Sequence, residues 1–250
     1  MNSANNSLQI SHAFLAATGT KIFRYFEDRI PHNGPVLVVS NHRSFMDAPV
    51  LMASVKRPIR FACHHYMGQV PVMREIVTGQ LGCFPLEAPE NRQQGFFQQA
   101  LKLLQTNQAV GVFPEGTKPM VDFTEPNSLG EFQRGFAHLA LRADAGSATV
   151  KPVEDLAILP VAIASLAEAN SSAVPLRLLS LFDPSEPLFN QNGWHPLVIY
   201  HRVGVLIGCP YRITAKERQQ YQGKQAKAVV ADITGHCQTE IAELLRQGCY

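Results

Sequence analysis

Short apolar runs alternate along this chain with longer stretches in which apolar residues recur at helical spacing. Val36-Leu37-Val38-Val39, Ala109-Val110-Gly111-Val112-Phe113 and the segment from Leu156 to Ala164 are the strongest runs. Continuous apolar runs of this length read as strands covered on both faces. Arg57 to Cys63 and Leu81 to Leu86 are shorter extended candidates, and His195 to Cys209 suits one long strand or a hairpin. Helical spacing is clearest from Asn91 to Thr106, where Phe96, Phe97, Ala100, Leu101, Leu103 and Leu104 form a stripe and the glutamines face away. Ala48 to Ala53, Phe132 to about Arg142 and the segment after Thr214 are further helices, and residues 64–79 are helical in part. In the C-terminal segment Val229, Val230, Ile233, Ile241, Leu244 and Leu245 are the expected buried positions, and Thr214 with Glu217 has the form of a capping box. Residues 165–195 lack a period and read as an excursion from the core. Strands separated by helices predict βαβ units, hence a single α/β domain with a largely parallel mixed sheet flanked by helices.

The N-terminal segment is more open. From residue 8 to 26, Leu8, Phe14, Leu15, Ile22, Phe23 and Phe26 suit an amphipathic helix, although Thr18-Gly19-Thr20 weakens its middle. Such a helix either packs on the domain or rests in a bilayer interface with its basic residues near headgroups. This divides the chain into residues 1–30, helical and potentially interfacial, and a main domain of residues 31–250.

Composition narrows the function classes. A chain of 250 residues that is 46% hydrophobic can bury a large core, and a formal net charge of +2 gives no basic field for nucleic acid. The five cysteines are odd in number, widely spaced and without a C-x-x-C pair, which suits a reducing compartment better than a disulfide framework or a structural zinc site. No run of apolar residues is long enough to span a membrane, and no secretory signal pattern opens the chain. The expected location is therefore the cytoplasm or the cytoplasmic face of a membrane.

Two constellations can carry chemistry. Ser40-Asn41-His42-Arg43-Ser44-Phe45-Met46-Asp47 follows the Val36–Val39 run, so a histidine stands where a buried strand ends. His42 and Asp47 would lie roughly 140° apart on a regular helix. They meet only if His42 precedes the helix and Asp47 sits in its first turn. Ser44 as N-cap with Asp47 three residues on permits that arrangement, but it also permits a purely structural cap. In a dyad, the carboxylate fixes one imidazole nitrogen and leaves the other to take a proton from a hydroxyl. The second constellation is Phe113-Pro114-Glu115-Gly116-Thr117-Lys118, at the end of another predicted strand, where open parallel sheets bind ligands. It is not a phosphate loop: Thr and Lys stand in the wrong order, and Pro119 follows. His64-His65 has no ligand-spaced partner nearby, Arg134 and His138 suit surface or packing roles, and no G-x-S-x-G elbow occurs.

The ordered pair N-H-x-x-x-x-D and F-P-E-G-T, about 70 residues apart, resembles the glycerophospholipid acyltransferase family, best known for the 1-acylglycerol-3-phosphate acyltransferases. Ile158-Leu159-Pro160-Val161 is similar to that family's fourth block, and Val203 to Tyr211 to its C-terminal strand. The resemblance implies O-acyl transfer from an acyl carrier protein or CoA thioester to a lysophospholipid or glycerol phosphate at a membrane surface, without metal or organic cofactor. It implies His42 as general base and Asp47 as its orienting partner. Glu115, Gly116, Thr117 and Lys118 would shape the acceptor site. The sequence departs from the pattern at Ala88, where the family carries a phosphate-binding Arg, with Arg92 as a substitute at the next helix start. It departs again at Pro119, where a serine is usual; an acyltransferase with a phosphate-free or other lysolipid acceptor, or a catalytically silent lipid-binding protein of the same fold, is the alternative. Backbone N–H groups of Ser44–Met46 would supply an oxyanion site.

Overall fold

The computed structural model describes residues 3–63, 74–86, 91–116, 124–146, 151–179, 190 and 192–248. His64-His65, Ala88, Thr117, Lys118 and Pro119 lie outside the described residues. The elements in chain order are α1 (Ser3–Ala17), β1 (Lys21–Tyr25), β2 (Val36–Ser40), α2 (Asp47–Val55), β3 (Ile59–Cys63), a π-helical stretch (Arg74–Gln80) and β4 (Phe84–Pro85). They continue with α3 (Arg92–Gln105), β5 (Ala109–Val112), α4 (Gly135–Ala145), β6 (Ala157–Pro175), α5 (Leu176–Leu179), β7 (Trp194–Ile207), α6 (Ala215–Gln222) and α7 (Ala226–Gln247).

A seven-stranded sheet in the order β1-β7-β6-β2-β5-β3-β4 forms the middle layer. Every described neighbour pair is parallel except β6 with β7. β2 is apolar from Val36 to Val39 because it lies between β5 and β6 and has helices on both faces. Leu37 and Val39 enter a core shared with α3, α4 and α7, whereas Val36 and Val38 enter a core shared with α1 and α2. Full burial of such side chains contributes about 1.5–3 kcal/mol each. α2 is buried on almost all sides, which suits its uncharged run after Asp47. Pro49 sits in its first turn, where the missing N–H costs nothing. The Thr214–Glu217 capping box forms as the sequence indicates.

Two expectations fail. The helix expected over residues 8–26 ends at Ala17, where Thr18 Oγ1 donates to the carbonyls of Phe14 and Leu15, which also accept from the Thr18 and Thr20 N–H groups. Lys21–Tyr25 is instead an edge strand, parallel to β7. Residues 3–30 thus contribute a packed helix and an edge strand of the main sheet. Residues 165–175, read as an excursion, continue β6 and pair with β7 along an antiparallel ribbon that runs past the end of β2. Small polar residues make poor strand formers alone, but the ladder with Trp194–Tyr200 overrides that preference.

Candidate active site

The site grows from the end of β2. Asn41 is 5% exposed, and its side-chain amide imitates a strand residue: Nδ2 donates to the Ile163 carbonyl at 2.9 Å and Oδ1 accepts from the Ile163 N–H at 2.8 Å. This extends the β2–β6 ladder by one rung and turns the chain so that His42 leaves the sheet edge. Asp47 follows at the first residue of α2 and is fully buried. His42 Nδ1 lies 2.8 Å from Asp47 Oδ2. The same oxygen accepts from the Arg43 and Ser44 N–H groups at 2.7 and 2.8 Å. Oδ1 accepts from the Tyr200 hydroxyl at 2.9 Å. A buried carboxylate is tolerable when hydrogen-bond donors surround it in this way.

The capping arrangement differs in one detail from the sequence reading. The helix opens at Asp47, and the Ser44 hydroxyl accepts from Met46 N–H at 3.0 Å while donating to the Val198 carbonyl at 2.7 Å. Only the carboxylate half of the capping box is made. The expected oxyanion role for Ser44 and Met46 N–H is corrected accordingly, because both groups are spent on these internal bonds.

The His42 ring is held as a plate. It stacks on Phe113 with centroids 4.1 Å apart and planes 13° apart, and Phe113 stacks on Phe61 at 5.1 Å. Phe61 can lie there because its ladder partner is Gly111; a Cβ at that position would come within 2.1 Å of the ring. Phe113 opens the Pro114-Glu115-Gly116 turn. Gly116 has φ of +71°, which favours glycine, and its N–H donates to Phe113 O at 3.1 Å. Glu115 is 8% exposed and turns inward: Oε1 accepts from His42 N–H at 3.0 Å and Oε2 from Gly130 N–H at 2.6 Å. Burial raises its carboxyl above the ordinary range, with the two backbone donors opposing the shift.

The structure thus joins His42, Asp47, Glu115 and Gly116 in one cluster. Arg92 is the first residue of α3, as expected of a helix-start position. Thr117 and Lys118 lie outside the described residues. Several members of the cluster escape sequence reasoning. Arg43 is buried and pairs with Glu168 at 2.6 Å while donating to Thr124 O at 2.6 Å. Tyr200 is 1% exposed, and burial together with the charge of Asp47 keeps its phenol protonated far above the ordinary range. The only local signal for these was their polarity within apolar surroundings. Burial pushes the Cys63 and Cys83 thiols up to about 12 and about 11, so neither offers a thiolate near neutral pH. A groove of about 500 Å³ between α3 and α4 contains none of these residues; His138 in its wall bonds the Tyr221 hydroxyl at 3.2 Å.

No helix among the described residues is long and apolar enough to cross a membrane. No curated protein sequence matches the chain significantly. Among solved structures, the 1-acyl-sn-glycerophosphate (LPA) acyltransferase PlsC from Thermotoga maritima is similar, with a TM-score of 0.61 over 98% of this chain and 80% of that one. At 14% identity that likeness shows a shared fold. The family profile described as Acyltransferase matches residues 21–164, which run from β1 to the middle of β6 and include both motif blocks. With more than half the chain matched, and the matched blocks folded into one cluster at the sheet edge, this protein belongs to the acyltransferase family.

Proposed function

We propose that the protein transfers a fatty acyl group from an acyl thioester, carried by acyl carrier protein or CoA, to the hydroxyl of a lysophospholipid, with 1-acylglycerol-3-phosphate as the acceptor. The observation that carries this reading is the contact of His42 Nδ1 with Asp47 Oδ2 at 2.8 Å, with Asp47 itself fully buried. An ionised carboxylate can only accept, so Nδ1 carries the proton and Nε2 has the lone pair. Nε2 takes the proton of the glycerol hydroxyl as its oxygen bonds to the thioester carbonyl carbon. The C–S bond then breaks, and the departing thiolate recovers the proton from the imidazolium. Asp47 stabilises that imidazolium, and the Phe113 stack limits ring rotation. Such base catalysis is worth about 10²–10⁴ in rate.

Glu115 and Gly116 hold the turn that faces the dyad; Thr117, Lys118 and Arg92 are proposed to receive the acceptor phosphate, a cation and a helix start being suited to it. The acceptor lives in bilayers, so the protein works at a membrane surface, and Phe45, 45% exposed within the dyad loop, suits such a surface. A second acceptor reading follows from Ala88, which leaves out the family's usual Arg: a lysolipid without phosphate. Thiol release measured with both acceptors in mixed vesicles separates the two. Turnover on 1-acylglycerol-3-phosphate alone supports the first reading. Equal or greater turnover on the phosphate-free lysolipid refutes it in favour of the second.

A further inference from the structure

One rung of the β6–β7 ribbon grips the dyad loop twice. Glu168 and Tyr200 are directly paired across the antiparallel ladder, so their side chains leave the same face. Glu168 takes the Arg43 guanidinium, next in sequence to His42, at 2.6 Å. Tyr200 takes the Asp47 oxygen opposite the one that faces His42, at 2.9 Å. The Tyr200 backbone is itself fixed: its carbonyl accepts from Thr20 Oγ1 at 2.8 Å and its N–H points at the Met46 sulfur at 3.3 Å. A phenol placed so firmly, fully buried, and aimed at the carboxylate of a dyad is more than filler.

We propose that Tyr200 is a positioning residue for acyl transfer, one that holds the Asp47 carboxylate plane and draws its charge away from Oδ2, so that the His42 ring holds its proton less tightly than it would without the phenol. The proposal rests on the acyl-transfer reading of His42 and Asp47. The physical reason is the division of one negative charge between two oxygens. A hydroxyl on Oδ1 stabilises charge there; removing it leaves more charge facing His42 and favours the imidazolium. The ring then binds its proton more tightly and is less often available as a base. The other charged groups bearing on the pair are Glu115 from the turn after β5, Arg43 in the loop itself, and Glu168 from β6.

The test compares Tyr200→Phe with site-specific 3-fluorotyrosine at position 200, which keeps the hydroxyl and makes it a stronger donor. In Tyr200→Phe, kcat falls about ten-fold, as expected when the carboxylate that orients His42 loses the bond that fixes its plane. KM for donor and acceptor stays within about two-fold, because no substrate contact is lost. The acid limb of kcat/KM moves to higher pH in Tyr200→Phe and to lower pH in the fluorinated protein. NMR titration of the His42 ring, without substrate, shows the same opposite shifts. A merely structural tyrosine would move thermal stability but not these two titrations in opposite senses. His42→Ala is the reference. If it is inactive while Tyr200→Phe keeps the wild-type kcat and titration, the inference about Tyr200 falls and acyl transfer by His42 stands. If His42→Ala retains full activity, the functional reading falls, and the NMR shifts alone decide whether Tyr200 tunes His42.

Discussion

Two buried carboxylates meet the loop after β2, and they are held in different ways. Asp47 is fully enclosed and takes donors on both oxygens: the imidazole, two backbone N–H groups and a phenol. Glu115 takes two backbone N–H groups, one from His42 and one from Gly130, and has no side-chain donor among the bonds described. The first acid grips the imidazole, while the second grips the main chain beneath it. Under the proposed acyl transfer, chemistry and geometry fall to separate motif blocks. This explains why one of them alone says little about function: each is a plausible turn or cap until the other is seen to complete it.

Substitutions at the two acids should break this division of labour in different ways. Asp47→Asn cannot keep Nδ1 protonated in the same manner, so turnover should fall by about 10²–10⁴ with the pH profile distorted. Steady-state rates across pH check this. Glu115→Ala leaves the N–H groups of half-buried His42 and exposed Gly130 without their acceptor, at about 1–3 kcal/mol in total. Urea unfolding should register that loss, and turnover should drop about ten-fold through misplacement of the ring, with the acid limb moving less than in Asp47→Asn. A Glu115→Ala variant whose acid limb moved as far as that of Asp47→Asn would collapse the distinction.

Smaller perturbations sharpen it. Gly111→Ala puts a methyl where the Phe61 ring lies, and overpacking of this kind costs about 1–3 kcal/mol. Because Phe61, Phe113 and His42 form one stack, activity should fall more than stability suggests; comparing kcat with the melting temperature tests the point. Glu115 also supplies a pH signature. Its folded value lies above the ordinary one, so between the two values the folded chain binds more protons than the unfolded chain. Its contribution to stability is therefore fullest at low pH and declines as pH rises through the folded value. Unfolding free energies of wild type and Glu115→Gln, measured from about pH 4 to about pH 7, should show the difference shrinking in that direction.

The sequence showed what is local and missed what is distant. His42 and Asp47 are five positions apart at a strand-to-helix junction, and the end of a buried strand can be read from Val36–Val39 itself. Glu115 was legible for the same reason, at the end of Ala109–Val112. Tyr200 and Glu168 were not, since they reach the dyad loop only through a ribbon whose β6 half is built of Ser, Ala and Asn. That ribbon forms because two weak strands pair along their length, a tertiary effect that no window of sequence contains. The helix expected over residues 8–26 failed in the same way. Ile22, Phe23 and Phe26 fit a helical stripe, but strand pairing to Arg202–Leu206 decided the outcome.

The most direct measurement is acyl transfer by His42→Ala, with 1-acylglycerol-3-phosphate in vesicles and an acyl thioester donor, alongside its thermal unfolding. The ring is partly exposed and stacks on Phe113, so its loss should leave the fold intact. The account predicts a fall in turnover of about 10²–10⁴ at nearly unchanged stability. Wild-type turnover from a folded His42→Ala protein would contradict it.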